Sequence, residues 1–234
     1  MQTRETLPFT SEQSKWERIL ALAWLPVHLF LLPMLAVWLF SDRMNQAELN
    51  LVVYGTGVVY MLLTQWRFLR RDFDPLCDRP LRVLLEVLIS YGLMLLMNLA
   101  LNGLLMFLLP EENPNNSSIM DMAGMDYGMV SALAIFLAPI VEELMFRAGI
   151  FGLIRKRSRW AAYAVSMLLF ALYHVWAYAL ESPVYLLYIL QYLPISYLLC
   201  RCYERTDSIW SSIFLHMLVN AVSIRALQIL EELL

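Results

Sequence analysis

The sequence predicts an all-α, polytopic transmembrane bundle of about seven helices with its N-terminus on the cytoplasmic side. Three observations carry this. Of the 234 residues, 60% are hydrophobic and 16% charged, whereas soluble domains run near half apolar and a quarter charged. Apolar runs of about 20 residues, enough to cross a hydrocarbon core of roughly 30 Å, recur along the whole chain. The basic residues gather in alternate connections between these runs, as they do in cytoplasmic loops.

The spans fall at about 18–40, 49–66, 82–109, 129–154, 160–180, 184–202 and 208–230. The first run, Ile19 to Phe40, is too long for a cleaved signal peptide and no small-residue cleavage site follows it, so it is expected to remain as a span. Asp42, Arg43 and Asn45 end it, and Asp74-Pro75 and Arg79-Pro80 separate the second span from the third. Pro110 opens a polar loop containing Asn113-Pro114-Asn115-Asn116, and Ser182-Pro183 divides the fifth span from the sixth. Residues 1–128 form an N-terminal set of three spans with an outer loop, and 129–234 a four-span core.

Arg4, Lys15 and Arg18 precede or open the first span. Arg67, Arg70, Arg71, Arg79 and Arg82 surround the second connection, Arg155, Lys156, Arg157 and Arg159 the fourth, and Arg201 and Arg205 the sixth. These are 14 of the 17 basic residues; Arg43 and Arg225 lie on the other side, and the 110–128 connection holds Glu111, Glu112, Asp121 and Asp126 with no basic residue. The basic side is expected to be cytoplasmic, which also places Cys77, Cys200 and Cys202 where thiols stay reduced. Cys200-x-Cys202 reads as helix-end packing rather than a metal pair or acylation site. The basic loops serve topology and anionic-lipid contact, with no call for nucleic acid.

The seventeenth cation, Arg147, lies inside the fourth span with Glu142 and Glu143. Ionisable residues within a span face a bundle interior or a watery cavity. Glu143 and Arg147 are four apart with the acid first, the favourable order for an ion pair on one face. Glu142 is turned about 100° from Glu143 and is left available. Pro139, just before them, is expected to kink the helix and free the carbonyl of Ile135. A Glu–Arg pair alone would read as packing; the second glutamate is what points to chemistry.

His174 closes Phe170-Ala-Leu-Tyr-His174 in the fifth span, and His216 and Asn220 share a face of the last. A carboxylate, two imidazoles and an amide suffice to activate a water and hold an oxyanion. Glu142, His174 and His216 are equally a set that binds zinc with one position open. His28, between Pro26 and Pro33, reads as structural. Counting about 1.5 Å per residue from the cytoplasmic helix ends puts Glu142 about 18 Å deep, His174 about 21 Å and His216 about 12 Å. That spread of about 9 Å must be closed by shifted boundaries, tilt or the kink.

Glu142-Glu143-x-x-x-Arg147, Phe170-x-x-x-His174 and His216-x-x-x-Asn220, in this order on three spans, resemble the CAAX-protease and bacteriocin-processing (CPBP or Abi) family of intramembrane peptidases. Thr206-Asp207-Ser208-Ile209-Trp210 also resembles the family's turn before its last helix. The resemblance covers about residues 129–234; the first three spans carry no recognisable signature. It departs where the family has Gly after the motif arginine, here Ala148, and in a sixth span that lacks Gly and carries Pro194. It implies an endopeptidase of a peptide or membrane-protein substrate, in the cytoplasmic membrane of a prokaryote. Glu142, Glu143, His174, His216 and Asn220 would be catalytic, with Glu142 the base assisted by His174, and His216 and Asn220 on the oxyanion. Arg147 and Phe170 would support them. It leaves zinc-assisted and metal-free hydrolysis both open, and names no oligomeric state. The reading from another class is a membrane regulator or immunity protein that binds a peptide or partner without turnover; a transporter is disfavoured by the missing internal repeat. The outer stretch Met120 to Met129 reads as an amphipathic segment on the membrane surface rather than a copper site, and the Asn-x-Ser matches at Asn115 and Asn116 bear only on glycosylating compartments.

Overall fold

A computed structural model describes residues 9–108 and 113–233. Arg4, Pro110, Glu111 and Glu112, which entered the reading above, lie outside them. The described residues form nine helices: α1 (Lys15–Phe40), α2 (Gln46–Arg71), α3 (Asp74–Asp78), α4 (Pro80–Leu108), α5 (Pro114–Met125), α6 (Tyr127–Arg155), α7 (Arg159–Glu181), α8 (Pro183–Thr206) and α9 (Ile209–Leu233). Seven of them, all but α3 and α5, are long and apolar enough to cross a membrane. Large apolar side chains cover the outside, among them Trp38, Leu63, Leu99 and Leu180. Helices are the fold such a surface allows, because each satisfies its own backbone groups without water.

Most helices open on a side-chain cap. Ser14 with Glu17, and Asn45 with Glu48, form reciprocal capping boxes at α1 and α2. Asn113, Asp126 and Ser158 cap α5, α6 and α7. The cap on α5 corrects the expected polar loop: Asn113-Pro114 is a helix start, with Pro at the first position where its missing N–H costs nothing.

α6 is the central helix, packed by α1, α2, α7, α8 and α9. Every residue from Val141 to Gly152 is buried, Glu142, Glu143 and Arg147 included. It widens into π-turns at Leu133–Leu137 and Leu144–Phe151, on either side of the two glutamates. α2 approaches it closely at Gly57, where a Cβ would stand 3.0 Å from the Val141 side chain.

One end of the bundle is a network of charges. Arg71 pairs with Glu17 at 3.0 Å, Arg155 and Arg159 with Glu204 at 2.6 and 2.8 Å, Arg205 and Arg201 with Glu86, and Lys156 with Glu12. Residues 9–14 lie across this end. Phe9 packs on Phe151 and Tyr203, the Thr10 and Ser11 N–H groups donate to Asp207, and the Ser11 hydroxyl reaches Asp72. Asp72 also accepts the Ile209 N–H, so it caps α9 from outside. Ser208 and Ile209 are fully buried under this strap. The opposite end carries α5, the start of α2 and the far end of α9, with amide side chains in place of ion pairs.

Candidate active site

Glu142 and Glu143 are adjacent on α6 and have different fates. Glu143 Oε1 accepts from Arg147 at 3.1 Å and from His216 Nδ1–H at 2.8 Å, and Oε2 accepts from Ser212 at 2.5 Å. Arg147 is fully buried; it also donates to the Ser196 hydroxyl at 3.0 Å and lies 4.0 Å over the Phe170 ring. A buried guanidinium is tolerated only when paired and hydrogen-bonded, and an aromatic face adds to that. This accounts for the phenylalanine of the second motif. Glu143 therefore does more than neutralise Arg147: it fixes the ring and tautomer of His216.

Glu142 faces the other way. Its Oε1 accepts from Tyr54 at 3.1 Å, and its buried Oε2 has no hydrogen-bond partner. That oxygen lies 3.8 Å from His174 Nε2 and 3.9 Å from His216 Nε2. His174 Nδ1–H donates to the Phe170 carbonyl at 2.8 Å, so both imidazoles are held through Nδ1 and present Nε2 to Glu142. The three groups that simple depth counting spread over about 9 Å meet in one place. The ends of the three helices counted from moved by a residue only; what closes the gap is that α9 begins inside the bundle, beneath residues 9–14, so His216 lies deeper than its distance from the helix start implies.

Asn220 lies one turn beyond His216 and donates to the Ala134 carbonyl at 2.7 Å. The carbonyl engaged is one residue earlier than the Ile135 expected from Pro139. The backbone there is π-helical, so proline's missing N–H deprives the i−5 carbonyl rather than the i−4 one. One amide N–H of Asn220 is thereby anchored and the other is left to donate elsewhere.

Two tyrosines escaped the sequence reading. Tyr54, on α2, bonds Glu142 and also Tyr173 at 2.8 Å; Tyr173 in turn meets His28 Nε2 at 3.1 Å. The spans without a signature thus supply one direct contact to Glu142 and one end of a four-residue chain. Tyr173 was adjacent to a motif residue; Tyr54 gave no signal beyond a hydroxyl at the depth of the cluster. Cys200 and Cys202 are buried and point to Ser166 and the Ser211 carbonyl respectively, apart from each other and from this cluster.

The cluster forms the floor of a cavity of about 700 Å³. Its wall rises past Ile195 and Val219 to α5 and the start of α2, at the end opposite the charge network. One carboxylate and two imidazoles make a zinc-type donor set, but ligands about 2.0–2.1 Å from a tetrahedral ion stand about 3.4 Å apart. The spacings found are wider, and among the described residues no three His, Cys, Asp or Glu side chains converge for a metal.

Residues 126–222 match the model of the Rce1-like family, type II CAAX prenyl endopeptidase Rce1-like. The UPF0177 protein YvdC of Lactococcus lactis subsp. lactis (strain IL1403) is 24% identical over 192 residues, spanning 81% of this chain and 70% of that protein. No solved structure matches. The matched segment holds all three motifs and four of the seven spans in whole or large part, so the likeness to the Rce1-like CAAX endopeptidase family lies in the part of the chain that builds the cluster.

Proposed function

We propose that this protein is an intramembrane endopeptidase that hydrolyses a peptide or membrane-protein substrate with Glu142 as general base. The observation that carries it is the partnerless Glu142 Oε2, buried at a cavity floor and facing two imidazole nitrogens at 3.8 and 3.9 Å. Such gaps suit one water that donates to Glu142 Oε2 and to one imidazole Nε2, each bond near 2.8 Å. Tyr54 holds the other carboxylate oxygen and fixes the direction in which the base points.

Glu142 takes a proton from the water as its oxygen bonds to the substrate carbonyl carbon. The carbonyl oxygen becomes an oxyanion, stabilised by the free N–H of Asn220 and by His216 in its imidazolium form, which enters the step with a second proton taken from solvent at Nε2. Collapse breaks the C–N bond, and the proton held by Glu142 passes to the leaving amine. Glu143, Arg147, Ser196 and Ser212 keep His216 in place throughout. Glu142, His174 and His216 would be the ligands if zinc were bound, but their spacings do not fit it, and exhaustive chelation of the purified protein is expected to leave activity intact.

The test is a comparison of peptide products from cells carrying wild-type protein or Glu142→Gln at equal membrane levels. Wild-type-dependent cleavages that vanish in the variant are expected. Full biological function of Glu142→Gln would show that the protein works by binding.

A further inference from the structure

His28 continues the buried stripe of α1 formed by Glu17, Ala21 and Trp24, and it stands in a π-turn at Val27–Leu31. The helix around it faces outward: Phe30 and Met34 are exposed, while His28 is only 3% exposed. Burying an imidazole there has a cost that hydrogen bonds must offset. Its Nε2 meets the Tyr173 hydroxyl at 3.1 Å, and its Nδ1 has no partner among the described residues. What the ring contributes beyond packing therefore passes through Tyr173.

That contact has a direction. As general base Glu142 is a carboxylate, which only accepts hydrogen bonds, and a tyrosine has one proton to donate. Tyr54 gives its proton to Glu142 Oε1 at 3.1 Å, so toward Tyr173, 2.8 Å away, it accepts. Tyr173 gives its proton to Tyr54, so toward His28 it accepts as well. His28 must then be the Nε2–H tautomer, the opposite of His174, whose Nδ1–H donates to the Phe170 carbonyl. A chain running the other way would take the Tyr54 donor from Glu142 and bury an unpaired N–H at Nδ1 of His28. Bonds aligned in one direction also polarise and strengthen one another.

Resting on the reading of Glu142 as general base, we infer that His28 is a positioning residue for the reaction. Its Nε2–H heads a chain through Tyr173 and Tyr54 that pins Glu142 Oε1 and turns Oε2 toward His174 and His216. It acts on Glu142 through the two tyrosines, and so brings α1 and α2, which carry no motif, into the chemistry.

Two substitutions separate this role from packing against Tyr54, whose ring lies 4.8 Å from that of His28. His28→Phe keeps a ring and loses the donor; His28→Gln loses the ring and keeps an amide N–H at the reach of Nε2. In cells with equal membrane levels, His28→Phe is expected to lower the Glu142-dependent peptide products about tenfold or more, and His28→Gln to recover most of that loss. Undiminished products with His28→Phe, or His28→Gln no better than His28→Phe, overturns the inference, as does failure of both variants to fold. A second measurement needs no substrate. NMR of isotope-labelled histidine nitrogens in lipid nanodiscs reads the tautomers of the three histidines, and the His28 signal is the one absent from His28→Gln. Wild type is expected to show His28 as Nε2–H alone. Tyr54→Phe releases the Tyr173 proton to point at Nε2, so the Nδ1–H form of His28 should appear. An Nδ1–H form in wild type, or a tautomer indifferent to Tyr54→Phe, overturns the inference. Wild-type cells without any Glu142-dependent product would refute hydrolysis and leave the tautomers to decide the chain; products untouched by His28→Phe would refute this inference while hydrolysis stands.

Discussion

At the scale of single residues, two adjacent glutamates divide chemistry from support, and substitution separates them. Glu142→Gln keeps volume and an oxygen for Tyr54 but cannot accept the proton of water, so the protein should insert and fold while losing turnover. Glu143→Gln leaves Arg147 as an unbalanced charge at full burial, for which a cost of about 3–5 kcal/mol is typical. Its folded yield and Tm should fall before any rate is measured; if Glu143→Gln is stable and silent instead, the roles are reversed. The helical offset of these two residues, and the Glu143–Arg147 pair four apart, were legible in the sequence because both depend on one helix alone. The link from Glu143 to His216 was not, because it depends on how deeply α9 is set. Asn220 shows the same limit. Asn220→Ala removes an oxyanion donor, for which a loss of about 100- to 1,000-fold in kcat is expected. It also strands the Ala134 carbonyl, which should lower stability by about 1–3 kcal/mol. Rate lost with KM and Tm unchanged would mean that the Ala134 bond contributes little; KM raised with kcat intact would make Asn220 a recognition residue.

At the scale of elements, the site depends on two placements that no periodicity announces. The first is the approach of α2 to α6 at Gly57. A methyl group there meets the Val141 side chain at 3.0 Å, which must give by a few tenths of an ångström. Gly57→Ala should weaken the Tyr54–Glu142 bond, and overpacking of this kind costs about 1–3 kcal/mol. Tyr54→Phe removes that bond without overpacking. If both variants lower kcat at unchanged KM, Tyr54 acts by orienting the base; a lowered Tm with normal kcat would confine it to packing. The second placement is the buried start of α9 under residues 9–14. Burial pushes the Asp72 carboxyl up to about 7, with Asp207 adding to the rise and the hydrogen bonds from Ser11, Ile209 and Ser208 opposing it. Asp72 therefore binds a proton more readily in the folded than in the unfolded chain, whose aspartates titrate near about 3.9. The folded state carries the extra proton between these values, so the contribution of Asp72 to stability should be full below about 4 and be lost as pH rises to about 7. Asp72→Asn keeps an acceptor for the Ile209 N–H and should flatten that part of the Tm-against-pH profile. A slope unchanged by the substitution would place its origin elsewhere.

For the whole molecule, seven spans were legible because each is fixed by its own length and composition, and no packing partner can alter that. The helix α5 was missed, since a 12-residue polar segment has no membrane signature and only its Asn113-Pro114 start betrays it. Orientation rests on another kind of signal. The basic residues of the alternate connections do collect at one end, where Glu12, Glu17, Glu86 and Glu204 neutralise many of them. That pairing does not erase the topological signal, because orientation follows Lys and Arg in short loops and acidic residues contribute little. It is set as spans insert, before the pairs can form between distant helices. The charge network should therefore face the cytoplasm and the cavity mouth the exterior. In a Cys77→Ser background, with Cys200 and Cys202 buried, single cysteines at Asn115 and Ser158 report the two ends. A membrane-impermeant maleimide should label position 115 in intact cells and position 158 only after permeabilisation. Labelling of both from the same side would break the alternation of spans. The reverse pattern would keep the fold and the site but turn the cavity inward, making cytoplasmic polypeptides the ones that reach Glu142.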